Sequence, residues 1–359
     1  MPLLPVYGHE SLKQRLRETV HRNALPSSLL FQGPRGIGKQ QLALWLGRLL
    51  LCENSGLPGA PCGQCRTCRM TAEVQHPDLQ WFFPRERLKG KSDPDRDDIR
   101  EDIAEGIAER MQAGGLYEGS AGDQGIFVAT IRALVQTAAL SPALARRKVI
   151  VIGDAEQMVV QEGSDQAANA FLKLLEEPPA DTTIILTSSE PGALLPTIRS
   201  RVVSIRVAPL SDREVEAFLA DPTVSDQLDL GSDREGELVR LAGGAPGRLV
   251  GRHAWKVALD RAANLLDAAA APDRGRRMRV SLAQGAAGAR GKFTDTLEAL
   301  TVLLHDRARS AATKGDDRAA RGASQAMDAV EHAKERAYGN VNPQLITASL
   351  LREIAPLVQ

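Results

Sequence analysis

The chain is predicted to be an α/β protein: a parallel sheet covered by helices, built on a phosphate-binding loop, carrying a four-cysteine module and followed by two helical regions. Three observations predict this. Short apolar runs alternate with helical patterns through the first 208 residues, a glycine-rich loop links the first run to a helix, and strand-like runs cease after Leu210. At 359 residues the chain exceeds one ordinary core, so two or three domains are expected. The boundaries read as 1–208 for the sheet domain, 209–250 for a small helical domain and 251–359 for a larger helical one.

The first strand candidate is 28–31, running into a turn at Gly33 to Gly38, after which Leu42, Trp45, Leu46 and Leu49 recur at helical spacing. Further strand candidates are 149–152, 183–187 and 202–207. Between them, Ile131, Leu134, Val135 and Ala138 share one helical face. Ala168, Phe171, Leu172 and Leu175 share another, before Pro178 and Pro179 stop the helix. Strands alternating with helices argue for a parallel sheet buried on both sides. The segment 85–123 is charged and poor in apolar residues, which predicts an exposed or partly disordered insertion, and the link 159–165 also looks extended. From 210 to 250 the chain reads as short helices separated by Asp, Pro and Gly. Beyond Gly251, Phe293, Leu297, Leu300 and Leu304 line one helical face, and Asn342-Pro343 supplies a cap and first-turn proline to a last helix.

Gly33-Pro34-Arg35-Gly36-Ile37-Gly38-Lys39 matches the phosphate loop, in which backbone N–H groups and a helix N-terminus cradle phosphates and the lysine adds a point charge. A chance glycine turn is the bland alternative, weakened by the strand before and the helix after. The next residue, normally Ser or Thr on Mg²⁺, is Gln40, whose neutral amide is a poor magnesium ligand. The usual acidic residue at the end of an apolar strand is also displaced. The run 149–152 continues into Gly153-Asp154-Ala155-Glu156, one place late, and side chains alternate along a strand. Both magnesium ligands are thus missing from their usual places, which argues against hydrolysis more than against binding of ATP or ADP.

The only cysteines are Cys52, Cys62, Cys65 and Cys68, spaced C-x9-C-x2-C-x2-C. Four soft ligands with paired C-x2-C turns fit a structural zinc site, whereas a catalytic zinc keeps a position open. Unligated or redox-active thiols are the alternative. A zinc-ribbon contact with nucleic acid is disfavoured, because Arg66 and Arg69 are the only local cations and no aromatic lies among them.

Lys plus Arg equals Asp plus Glu at 45 each, so the chain lacks the charge of a protein that coats nucleic acid alone. No apolar run approaches the roughly 20 residues that span a bilayer, and residues 1–10 lack a secretory pattern. A soluble protein in the cytoplasm is expected, with no membrane partner.

The order of phosphate loop, four-cysteine module and Ala168-Asn169-Ala170-Phe171-Leu172-Lys173-Leu174-Leu175-Glu176-Glu177-Pro178-Pro179 resembles the bacterial clamp-loader family of AAA+ proteins. Thr187-Ser188-Ser189-Glu190-Pro191 is similar to that family's first nucleotide sensor. Leu195-Pro196-Thr197-Ile198-Arg199-Ser200-Arg201 resembles its Ser-Arg-Cys element, with Val202 in place of Cys. Gly243-Gly244-Ala245-Pro246-Gly247-Arg248 resembles its second sensor. The motifs cover roughly residues 5 to 250; the remainder is similar only in being helical and of domain size.

The resemblance implies an AAA+ sheet domain, a helical lid and a C-terminal collar. It implies that Arg201 reaches in trans to the phosphates of a neighbour's ATP, the arginine-finger arrangement, against the alternative of an ordinary salt-bridged surface arginine. If nothing binds in this subunit, Arg248 braces two domains. ATPase members would carry Gly-Lys-Ser/Thr and an Asp-Glu pair; this chain has neither, and is more similar to delta-prime subunits. The implied function is loading the sliding clamp onto primed DNA within the DNA polymerase III complex, beside gamma/tau and delta subunits, without ATPase activity of its own. The competing readings are an active gamma/tau-type ATPase, opposed by Gln40 and Gly153, and a zinc-stabilised nucleic-acid-binding protein with a vestigial loop, opposed by the neutral charge.

Overall fold

The computed structural model describes every residue except 1, 56–59, 91–92, 118–123, 159–164, 231–233, 285–289, 339–340 and 359. The chain divides into two compact units, Met1–Val250 and Gly251–Gln359. The first holds a five-stranded parallel sheet formed by β1 (Ser28–Gln32), β2 (Leu79–Phe82), β3 (Lys148–Ile152), β4 (Thr182–Ser188) and β5 (Val203–Arg206), in the spatial order β2-β3-β4-β1-β5. Its helices are α1 (Glu10–His21), α2 (Lys39–Leu51), α3 (Arg66–Ala72), α4 (Arg96–Gln112), α5 (Val128–Ala139), α6 (Asp165–Glu176), α7 (Pro196–Arg199), α8 (Asp212–Leu219), α9 (Pro222–Leu228) and α10 (Glu235–Ala242).

Alternation along each central strand divides the interior into two cores. Leu29, Phe31, Val149, Val151 and Ile185 pack with Leu42, Leu46 and Leu49 of α2 and Leu12 and Leu16 of α1. Leu30, Ile150, Ile152, Ile184 and Leu186 point the other way, onto Ile131 and Leu134 of α5 and Phe171 and Leu175 of α6. Each such buried Leu or Ile stabilises by roughly 1.5–3 kcal/mol. The four strands expected from sequence are β1, β3, β4 and β5, with ends shifted by a residue or so.

Two elements depart from the expectation. β2 pairs with β3 at the sheet edge, a strand of four residues lying between Pro77 and Pro84. The segment expected as an exposed insertion contains α4, which starts in a capping box: Asp95 accepts from the Asp97 and Asp98 N–H groups, and Asp98 accepts from the Asp95 N–H. Ile99, Ile103 and Met111 of α4 are buried in the two cores. This stripe is one residue wide per turn, too sparse to stand out among the charged residues around it, yet enough to dock a helix. Arg85 ties the helix down through Asp102 at 3.1 Å and Glu109 at 2.8 Å. Residues 91–92 and 118–123 of the expected insertion, and 159–164 of the expected link, lie outside the described residues.

Residues after β5 build their own small core from Leu210, Val215, Phe218, Val224, Leu228, Leu238, Val239 and Leu249, joined by Leu4 and Leu116. Ser211 and Glu214 form a second capping box at the start of α8.

The second unit comprises α11 (Arg252–Ala270), α12 (Arg274–Leu282), α13 (Arg290–Thr313), α14 (Asp317–Tyr338) and α15 (Pro343–Val358). The face predicted from Phe293, Leu297, Leu300 and Leu304 is buried. The buried Lys334 ammonium lies 2.8 Å from Glu298 and 2.9 Å from Glu331. Asn342 Oδ1 accepts from the Gln344 N–H at 2.8 Å, capping α15. Among the described residues no helix is long and apolar enough to cross a membrane.

Candidate functional site

The phosphate loop lies between β1 and α2. Gly36 and Gly38 adopt φ of 83° and 87°, a region that residues with a Cβ rarely enter, and Gly38 is the N-cap of α2. The cradle is packed from above by the second-sensor-like segment: Gly247 N–H donates to Gly36 O at 2.8 Å. A Cβ on Gly247 would lie 2.8 Å from Gly36 Cα, so the two backbones touch at a spacing only glycine allows. Arg248 is buried there and donates to Ala242 O at 3.2 Å. His9 shares a hydrogen bond of 2.9 Å with Ile37 O on the loop's other flank.

Lys39 is folded back on its own loop. Its ammonium donates to Gly33 O and Pro34 O, each at 2.9 Å, and to Ser189 Oγ at 2.8 Å. Ser189 N–H in turn donates to Glu156 Oε1 at 2.9 Å, while Glu156 Oε2 is buried without a hydrogen-bond partner among the described residues. Burial and the neighbouring Asp154 push the Glu156 carboxyl upward. Asp154 follows the end of β3 in a left-handed conformation, φ 47°, and its N–H donates to Thr187 Oγ1 at 3.2 Å. Two backbone carbonyls and a hydroxyl of this chain thus hold the lysine that the motif reserves for phosphate.

Gln40 is buried, and its Oε1 accepts from Trp81 Nε1 at 3.0 Å and from Arg110 Nη1 at 3.2 Å. Arg110 in turn lies over three rings, its guanidinium carbon 3.5 Å from the Phe83 centroid, 3.7 Å from Tyr117 and 4.9 Å from Trp81. Burial presses the Arg110 proton affinity down. The amide that replaces the expected hydroxyl therefore belongs to a polar and aromatic plug. Sequence reasoning identified Gln40 only as a poor metal ligand; Arg110 and Trp81 were missed because only the fold brings them to α2, while Ser189 and Glu156 were quoted within motifs but not as a chain of contacts to Lys39.

The four cysteines converge. Their sulfurs all lie within 4.8 Å of one another, with Cys62 and Cys68 4.0 Å apart. A tetrahedron with Zn–S bonds near 2.3 Å has edges of roughly 3.8 Å, so the cluster needs only a small contraction. Three sulfurs already accept from backbone: Cys62 from the Cys65 N–H at 3.4 Å, Cys65 from the Cys68 N–H at 3.3 Å and Cys52 from the Asn54 N–H at 3.4 Å. The N–H groups of Cys65 and Gln64 hold the Cys62 thiol down at about 6, while burial pushes Cys68 up to about 12. The donor set fits a possible structural zinc site with no open position. Gly56, Pro58 and Gly59, between the first two ligands, lie outside the described residues.

Arg201 lies on the surface beyond α7. Its Nε donates to Glu176 Oε1 at 2.6 Å, a second nitrogen pairs with the same carboxylate, and Nη1 donates to Thr197 O at 2.8 Å. The predicted site residues therefore fall into three places: the loop with Arg248, the cysteine cluster, and this separate arginine.

A family model described as DNA polymerase III, delta subunit, matches residues 8–211. The chain is 32% identical over 217 residues to DNA polymerase III subunit delta' of Pseudomonas aeruginosa, covering 60% of this chain and 52% of that protein. It is 25% identical over 244 residues to DNA polymerase III subunit tau/gamma of Haemophilus influenzae, covering 68% of this chain and 29% of that protein. The chain thus spans about half the length of the delta' relative and less of the other. A crystal structure of a DNA polymerase III, gamma subunit-related protein from Thermotoga maritima is 16% identical, covers 96% of this chain and 100% of that one, and has a TM-score of 0.38. With the family model matching more than half of its residues, the chain belongs to the DNA polymerase III delta' subunit family.

Proposed function

We propose that this chain is the non-hydrolysing member of a clamp loader, contributing Arg201 in trans to the ATP site of a neighbouring gamma/tau-type subunit while that assembly, with delta, places a sliding clamp on primed DNA. The observation that carries this reading is Gln40. Its amide is bound to Trp81 and Arg110 and abuts Gly153, so neither the hydroxyl nor the strand-end carboxylate that would hold magnesium is present. Lys39 bound to Gly33, Pro34 and Ser189 supports the same reading, because ATP or ADP would have to displace all three contacts.

Arg201 suits a trans role because its side chain is 29% exposed and anchored by Glu176, which holds an otherwise mobile side chain in one direction. The four cysteines hold zinc with a structural role, stiffening the module between α2 and α3. Bound there, zinc supplies a crosslink among four thiolates and no catalytic position.

The test is ATP hydrolysis by the purified chain, alone and then mixed with gamma-type and delta subunits, clamp and primed DNA. Silence alone and turnover in the mixture that falls at least tenfold with Arg201→Ala is expected. Robust hydrolysis by the isolated chain would make it an ATPase subunit instead.

A further inference from the structure

The neutral total conceals a basic second unit. Residues 251–359 carry 17 Lys and Arg against 12 Asp and Glu, although the whole chain is balanced at 45 each. The excess is concentrated on α12, which holds Arg274, Arg276, Arg277 and Arg279 and no acidic residue.

α12 also shows its apolar side chains to water. A surface helix ordinarily turns its apolar stripe toward the core. Here the residue turned inward is Ser281, 2% exposed, while Met278 and Leu282 are 56% and 55% exposed. These two stand four residues apart and so share one face, with exposed Arg274 one turn before them. The start of α15 adjoins the same end of α12: Gln344 Nε2 donates to Leu282 O at 3.0 Å and to Gln284 O at 3.2 Å. The next residue, Leu345, is 66% exposed. Single exposed apolar residues are ordinary on a protein surface, whereas a group of them rimmed by charge marks a contact surface.

The rim has cations to spare. Arg277 Nη1 is spent on Ala271 O at 2.9 Å, and Arg279 pairs with Asp273 at 3.4 Å. The side chains of Arg274 and Arg276 make no hydrogen bond or ion pair among the described residues. Two unpaired guanidiniums beside Met278, Leu282 and Leu345 complement carboxylates beside apolar side chains. Nucleic acid fits this face less well, since α12 carries no aromatic side chain on which a base could stack.

We propose that the exposed face of α12, with Leu345, is a docking surface for an acidic protein segment bearing apolar side chains. Those side chains cover Met278, Leu282 and Leu345, and its carboxylates pair with Arg274 and Arg276. A nine-residue helix is about 13 Å long, so the segment is short and linear, of the kind that lays an apolar face along a helix. The surface lies on the unit that carries neither Arg201 nor the cysteine cluster, so the inference is independent of nucleotide hydrolysis and of zinc.

The test uses the purified full chain and a fluorescein-labelled acidic peptide with leucines at helical spacing. The controls are the same peptide with its leucines replaced by serine, the same peptide with its acids replaced by lysine, and a labelled oligonucleotide. Saturable binding of the acidic leucine peptide is expected, with Kd on the order of 1–100 µM, and weaker binding of all three controls. Leu282→Ser, and separately Arg274→Glu with Arg276→Glu, should each weaken it at least about tenfold, with melting temperatures at the wild-type value because these side chains are exposed. The charge-reversed variant should gain affinity for the lysine peptide, a rescue that misfolding would not produce. Absence of saturable binding by the acidic leucine peptide, or equal binding by wild type and both variants, would overturn the proposal. Tighter binding of the oligonucleotide, lost on charge reversal but kept in Leu282→Ser, would also overturn it and make the face a nucleic-acid contact.

Discussion

The Gln40 side-chain amide fills the space beside Gly153 at the end of β3: a Cβ on Gly153 would lie 2.3 Å from Gln40 Oε1 and 2.4 Å from its Cδ. The two departures from a hydrolytic site are therefore one structural substitution. The missing strand-end carboxylate makes room for the amide, and the amide satisfies the Trp81 and Arg110 donors.

From that contact, Gly153→Ala is expected to destabilise the first unit by about 1–3 kcal/mol through overpacking. Gln40→Ala removes the obstruction but leaves two buried donors unpaired, at a cost of about 1–3 kcal/mol. The double variant should be more stable than the sum of the two singles implies, since the clash exists only when both side chains are present. Urea unfolding of the four proteins measures the coupling, and strict additivity would show that the two positions do not meet.

How much of this was legible beforehand depended on the range of the interactions. β1, β3 and β4 are buried on both faces, so their apolar runs announce them. β2 has only four residues between prolines, and α4 carries its burial on single residues per turn among many charges, so neither stands out locally. The cysteine cluster was legible because its ligands sit within one short stretch. The plug around Gln40 was not, because Trp81, Phe83, Arg110 and Tyr117 come from segments whose proximity only the sheet order creates. Arg201 was legible as a motif residue, while its partner Glu176 belongs to a different motif and the pairing is tertiary.

Because Arg201 pairs with Glu176 at the surface, Arg201→Ala should change the stability of the isolated chain by less than about 1 kcal/mol. Thermal unfolding of the variant alone separates this from the large loss of turnover expected in the assembled complex. A stability loss of several kcal/mol would mean that the arginine is a structural brace, and that any loss of turnover reflects misfolding.

Asp78 predicts an acid limit to stability. This buried carboxylate accepts from the N–H groups of Ala143, Leu144 and Ala145 at 2.6, 2.8 and 2.7 Å. Burial alone would push it upward, but these donors hold it below the usual carboxylate range. A carboxyl depressed in the folded state contributes stability that is fully present above its unfolded value, near pH 4, and is lost as pH falls through the lower folded value. Asp78→Asn should therefore be less stable than wild type by roughly 2–3 kcal/mol at neutral pH, the scale of hydrogen bonds to a charged group. The gap should narrow below about pH 4. Melting curves of both proteins from pH 7 to pH 3 check this, and a gap that does not depend on pH would assign the loss to packing instead.

The cysteine cluster predicts a chelator-dependent stability confined to the first unit. Without metal, burial pushes the Cys68 thiol up to about 12 and Cys52 also upward, so at neutral pH the cluster must release protons as it takes zinc. Binding should weaken as pH falls, because protons compete for the same sulfurs. Cys65→Ser removes a soft ligand while its hydroxyl still caps α3 through the Cys68 N–H, so it should abolish tight zinc binding and lower the melting temperature of the metal-loaded protein. In excess chelator the difference between wild type and Cys65→Ser should nearly vanish, because the serine hydroxyl keeps the cap. Wild type that melts identically with and without chelator, after zinc loading has been verified, would show that the metal is bound without contributing to the fold.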